Sequence, residues 1–97
     1  HQEKATGDVW IGSNGGILTR YNPATNKTTY YNPPEFANAT VRYITEDKKG
    51  RLWFSTQRGR IIVFENNKFR VVKDYGTAII PKLMFDKDGW LWAAVQG

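Results

Sequence analysis

The sequence of 97 residues has no cysteine, which excludes a disulfide framework and any thiolate metal site. Its one histidine is His1, so Ser13 and Ser55 have no imidazole base near them in sequence, and no Gly-x-Ser-x-Gly elbow occurs. No apolar run reaches the roughly 18 residues of a spanning helix, and no basic-then-apolar signal peptide opens the chain. No membrane insertion by this segment is expected. The first residue is not methionine, which reads as a processed or excised piece. Convincing helical periodicity is absent throughout.

Acidic residues are scarce in one region. Between Lys48 and Lys73 stand eight Lys or Arg against Glu65 alone, and the formal charge of the chain is +5. These cations are scattered, without a basic helix or an RNP-like aromatic motif, so they read as solvated strand and turn positions. No nucleic-acid partner is expected. Aromatic residues make up 14% of the chain, and Gly, Asn and Thr are plentiful, as in turn-rich β structure.

The sequence repeats itself. GDVWIGSNGGILTRY from Gly7 and GRLWFSTQRGRIIVF from Gly50 align without a gap, and GWLWAAVQG from Gly89 begins a third copy. Trp53 lies 43 positions after Trp10, and Trp92 lies 39 after Trp53. VRYITEDKKG (41–50) pairs with IPKLMFDKDG (80–89), again at a spacing of 39. Periods near 40 residues made of several short strands are the signature of β-propeller blades. Nine strands are predicted, at 8–13, 17–22, 28–32, 41–46, 51–56, 61–65, 68–73, 80–85 and 90–95. Labelled A (inner) to D (outer), they read B-C-D, A-B-C-D, A-B. Runs such as Ile61-Ile62-Val63-Phe64 are apolar on both faces, as blades sandwiched between neighbours require. The fold class is therefore all-β, about two four-stranded antiparallel blades forming a fragment of a larger propeller. Repeat copies fall at about 7–46, 47–85 and 86–97.

Within this pattern Trp10, Trp53 and Trp92 read as blade-to-blade packing. Asp47, Gly50, Asp86 and Gly89 read as hairpin turn residues, Asp accepting turn hydrogen bonds and Gly taking positive φ. Trp90 is off-pattern, since Asp8 and Arg51 occupy its position in the other copies. Asp86-Lys87-Asp88-Gly89 imitates the start of a calcium loop, but the downstream bidentate Glu is missing, and no metal site or cofactor is expected. Glu46-Asp47 is a conceivable acid/base pair, yet Asp47 is the repeat's turn residue and Glu46 aligns with Phe85. Asn26 and Asn38 open glycosylation sequons, which matter only in a eukaryotic secretory context.

The pattern Asp-x-x-Gly-x-Leu-Trp-[Ile/Phe]-[Gly/Ser]-[Ser/Thr], then Gly and an aliphatic-aromatic strand, resembles the two-component regulator propeller repeat. Gly7 to Tyr21, Asp47 to Phe64 and Asp86 to Gly97 carry it, with Ala93-Ala94-Val95 departing from the usual triplet. The resemblance implies a periplasmic or extracellular sensor domain of a hybrid two-component histidine kinase. Such a segment is non-catalytic, recognises an oligosaccharide and controls polysaccharide use. Two blades alone would leave apolar outer faces and open edges, so further blades of the parent chain, or another copy by self-association, are expected to cover them. Two other classes remain open. A streptogramin-lyase-like propeller shares the Gly-x-Leu-Trp-Phe strand but would need a histidine within the repeats, and a protein-interaction scaffold would need none.

In a propeller the B–C and D–A connections share one face, where pockets are commonly built. Here those loops are 14–16, 32–39, 57–59 and 74–77. Their candidate ligand-binding side chains are Asn14, Gln57 and Arg58, with Phe36 and Tyr75 as exposed rings for stacking on a sugar.

Overall fold

The computed structural model describes residues 1–96. Its strands are β1 (Val9–Gly12), β2 (Leu18–Asn22), β3 (Lys27–Tyr31), β4 (Val41–Glu46), β5 (Leu52–Thr56), β6 (Arg60–Glu65), β7 (Lys68–Asp74), β8 (Ile79–Phe85) and β9 (Leu91–Gln96). They form three antiparallel sheets in the orders β1-β2-β3, β4-β5-β6-β7 and β8-β9. This is the expected B-C-D, A-B-C-D, A-B arrangement of propeller blades, with each predicted strand in place to within a residue or so at each end. A turn at Asn14–Gly16, with Gly15 (φ 76°) and Gly16 (φ 73°) in the left-handed region, and a single 3₁₀ turn, Pro34–Phe36, lie in the connections. Among the described residues no helix is long and apolar enough to cross a membrane.

The first sheet also keeps a trace of an inner strand. Gln2 bridges Val9, and the His1 carbonyl accepts from the Trp10 amide at 2.7 Å. Residues 1–3 thus lie against β1 as β4 lies against β5.

Hairpin chemistry explains the boundaries. Asn66 (φ 50°) and Asn67 (φ 63°) form the two-residue link between β6 and β7, where both positions need positive φ. In the β4–β5 loop Asp47 Oδ1 accepts from the amides of Lys49 and Arg51, each at 2.9 Å, and Gly50 turns the chain at φ 80°. Asp86 repeats this before β9, accepting from the amides of Asp88 and Trp90, each at 2.9 Å.

The second oxygen of each aspartate has a different use. Trp53 Nε1 donates to Asp47 Oδ2 and Trp92 Nε1 to Asp86 Oδ2, both at 2.9 Å. One carboxylate therefore fixes both the hairpin and the rotamer of the repeat's tryptophan. In the first copy Glu3 Oε1 accepts from Trp10 Nε1 at 3.1 Å. Its loop is one residue longer, and the glutamate replaces the aspartate one position earlier in the gap-free alignment.

Burial works to raise the Asp47 pKa, but hydrogen bonds from Trp53 and Arg51, with the Arg51 charge, outweigh it and hold the pKa below 3.8. A depressed carboxylate pKa contributes stability above its unfolded value, lost as pH falls through the folded one. Asp47→Asn should therefore lower the urea midpoint at neutral pH, and its deficit relative to wild type should narrow below about pH 4. A deficit constant from pH 7 to 3 would show that the charge is not what Trp53 and Arg51 reward.

The core lies between sheets. Trp10 stacks on Tyr31 (centroids 5.5 Å apart) and meets Phe54 and Phe64 of the second sheet at 6.0 and 5.4 Å. Leu18, Phe36, Val41, Leu52 and Ile62 complete this cluster. Ile61, Ile80 and Leu83 form the next cluster, with Trp53 set edge-on against Phe85 at 5.6 Å. Gly12 allows the first junction to close, since a Cβ there would sit 2.5 Å from Val41 Cβ. The equivalent Ser55 is fully buried, and its hydroxyl donates to the Ile80 carbonyl at 2.6 Å. Ser55 is a packing residue.

The two outermost faces are bare. Tyr30 and Ile11 are exposed on the first sheet, and Met84 and Trp92 on the last, where Trp92 is 62% exposed. Trp92 occupies the position that is buried in Trp10, but no described strand lies beyond it. Trp90 is 71% exposed. Its equivalents make ion pairs instead, Asp8 with Arg20 and Arg51 with Asp47, each at 2.6 Å.

Candidate functional site

The connections preceding the inner strands and the B–C turns do share one end of the sheets. There, Gln57 and Arg58 meet Asn38, Ala39 and Thr40, which lead into β4, with Thr77 just before β8 and Ile79 at its start. Together they line an open cleft of about 500 Å³, within the usual few-hundred to one-thousand Å³ range of small-ligand sites. Its lining consists of amides, hydroxyls, one guanidinium and a small apolar surface from Ala39 and Ile79.

The β5–β6 turn is held firmly in this position. The Gln57 amide donates to the Thr40 carbonyl at 2.8 Å, tying the turn to the loop before β4. Thr56 Oγ1 accepts from the amides of Arg58 (3.3 Å) and Arg60 (3.2 Å). Gly59 has φ 73°, and a Cβ there would lie 2.9 Å from the Ala78 carbonyl oxygen, so only glycine lets the turn approach the loop before β8. That loop answers with the Tyr75 amide donating to the Gly59 carbonyl at 2.8 Å.

Of the five candidate side chains, Gln57 and Arg58 line the cleft. Asn14 sits exposed in the neighbouring B–C turn, where its Oδ1 accepts from Thr40 Oγ1 at 3.4 Å. Phe36 must be corrected. It is fully buried, edge-on to Phe54 at 5.6 Å and Phe69 at 5.7 Å, and offers no face to a sugar. The cause is the 3₁₀ turn Pro34–Phe36, which directs the ring into the core cluster.

Tyr75 is 43% exposed, does not line the cleft, and has the Lys73 ammonium 5.6 Å from its ring centroid. Glu35-Phe36-Ala37-Asn38-Ala39 aligns with Asp74-Tyr75-Gly76-Thr77-Ala78 at the repeat spacing of 39. Ala37 (φ 49°) and Gly76 (φ 76°) share the left-handed conformation. Tyr75 is thus the counterpart of Phe36. It lacks cover because its own sheet has only β8 and β9, with Ala93 where the second sheet has Phe54.

Asn38, Thr40, Thr77 and Ile79 also line the cleft and are not among the five candidates. Asn38 and Thr77 fall within the expected loops, whereas Thr40 and Ile79 lie at the strand starts. Aligning 35–40 with 74–79 would have found them.

A second depression, of about 230 Å³, lies beside Asp8, Arg20, Asn22 and Lys27. Its charges are already engaged, with Arg20 Nε at 2.6 Å from Asp8 Oδ2 and Asn22 Nδ2 at 2.7 Å from Oδ1. His1 lies toward the far end of β4, Nε2 2.8 Å from Glu46 Oε1, away from the cleft.

Residues 35–58 match the model of the family described as two component regulator propeller. The matched segment runs from the buried Phe36 turn through β4, Asp47 and Trp53 to Arg58. Two crystal structures of the extracellular domain of BT4673 from B. thetaiotaomicron share the fold. One is designated a one component system and the other a hybrid two component system, each with TM-score 0.79 and 21% identity. The likeness covers 98% and 99% of this chain, which spans only 14% of theirs. Among curated proteins nothing matches the chain significantly.

Proposed function

We propose that this chain is a non-catalytic, ligand-sensing piece of an extracellular or periplasmic propeller in a two-component system. Its ligand is an oligosaccharide, and the parent protein controls polysaccharide use. The observation that carries this reading is the cleft at Gln57 and Arg58. Two successive blades converge there on a space the size of one or two sugar rings, lined by groups that exchange hydrogen bonds with hydroxyls. The likeness of the chain to an extracellular sensor domain supports the location and the signalling role. The amides, hydroxyls and guanidinium of the cleft lining suit recognition by hydrogen bonds.

The test is to fill the space. Thr77 is exposed at the rim, so Thr77→Trp adds bulk without disturbing a core position. In the complete protein this change should abolish oligosaccharide binding by calorimetry and leave the thermal midpoint within a few degrees of wild type. Undiminished binding would remove the cleft from the sensing site.

A further inference from the structure

The repeat supplies an internal control that separates scaffold from site. Positions that build the blade keep their residue type across copies, as in Trp10, Trp53 and Trp92 or Gly16 and Gly59. Positions around the cleft are mixed. Ala39 recurs as Ala78, and Gln57, in place of Asn14, recurs in sequence as Gln96, whereas Asn38 stands where the next copy has Thr77 and Thr40 where it has Ile79. The largest departure is Arg58, whose equivalents are Gly15 and, in sequence, Gly97. A position that glycine fills in the first copy, where the turn still forms, requires no side chain for folding.

Arg58 is also unlike most of the other arginines. Arg20, Arg51, Arg60 and Arg70 each pair with a carboxylate. Arg42 and Arg58 have no such partner among the described residues; Arg42 borders a depression beside His1 and β1, whereas Arg58 lines the cleft between successive blades. No acidic side chain lines it with Arg58. The backbone of the turn that presents Arg58 is fixed by Thr56, Thr40 and the loop before β8, so binding has only the side chain left to order there.

We propose that the cleft selects a sugar bearing an anionic group, a carboxylate or a sulfate ester, received by Arg58. This rests on the sensing reading above and narrows it. A planar guanidinium donates to either oxyanion through two parallel N–H···O bonds. Gln57, Asn38, Thr40 and Thr77 surround it with neutral donors and acceptors for ring hydroxyls.

The experiment titrates the complete protein with three defined series: neutral xylo-oligosaccharides, oligogalacturonates and sulfated chondroitin oligosaccharides. One of the two anionic series is expected to bind, and which one it is distinguishes carboxylate from sulfate. Arg58→Ala should weaken that binding about 10- to 100-fold, the loss for a charge-assisted hydrogen bond, and Arg58→Lys should fall between. Binding confined to the neutral series, or anion binding unchanged in Arg58→Ala, overturns the anionic assignment and leaves the sensing reading intact. No binding in any series overturns both.

Discussion

Trp10→Ala should destabilise the chain by about 3–5 kcal/mol, the range for deleting a large buried aromatic. Trp10 is fully buried, and its ring touches Tyr31, Phe54 and Phe64 while its indole N–H is spent on Glu3. Truncation therefore opens a cavity in the largest core cluster and leaves a partly buried carboxylate with one donor fewer. The same substitution at the two equivalent positions should cost progressively less. Trp53 is half-buried, because the sheet it faces contributes only β8 and β9. Trp92 has no described strand in front of it. Urea midpoints of the three variants should rank Trp10→Ala lowest, Trp53→Ala next, and Trp92→Ala near wild type. Equal losses at all three positions would mean that the indole–carboxylate bond, shared by every copy, matters more than sheet-on-sheet burial.

That ranking shows what the sequence made legible. Strand order and the equivalence of the three tryptophans followed from a spacing of about 40 residues and from glycines and aspartates at turns. Those are local signals, and tertiary contacts do not override them here. The role of Glu3 was hidden because its loop carries one extra residue, which shifts the acid out of a gap-free alignment. The second use of Asp47, as acceptor for Trp53, needs a three-dimensional path that a turn pattern does not record. At the cleft, Gln57 and Arg58 could be read because polar side chains on a tight turn between apolar strands have little choice but to face outward. An aromatic in a loop has that choice. Phe36 turned inward, where deeper burial of its ring is worth more than exposure at the loop tip.

Phe36 and Tyr75 give the second large effect. Phe36→Ala should cost about 3–5 kcal/mol in this chain, since the ring is completely buried against Phe54 and Phe69. Tyr75→Ala should cost far less here, because the ring is 43% exposed and rests against Lys73. The repeat makes the two positions equivalent, and the difference between them is the cover that outer strands provide. Phe69 belongs to β7, the fourth strand of its sheet, and the sheet of β8 and β9 has no counterpart among the described residues. Where further strands complete that sheet, Tyr75→Ala should approach the cost of Phe36→Ala and should leave ligand affinity unchanged. Thermal midpoints and oligosaccharide titrations of the same variant separate the two roles. A Tyr75→Ala protein that keeps its stability but loses affinity would return the ring to the binding face and break its equivalence with Phe36.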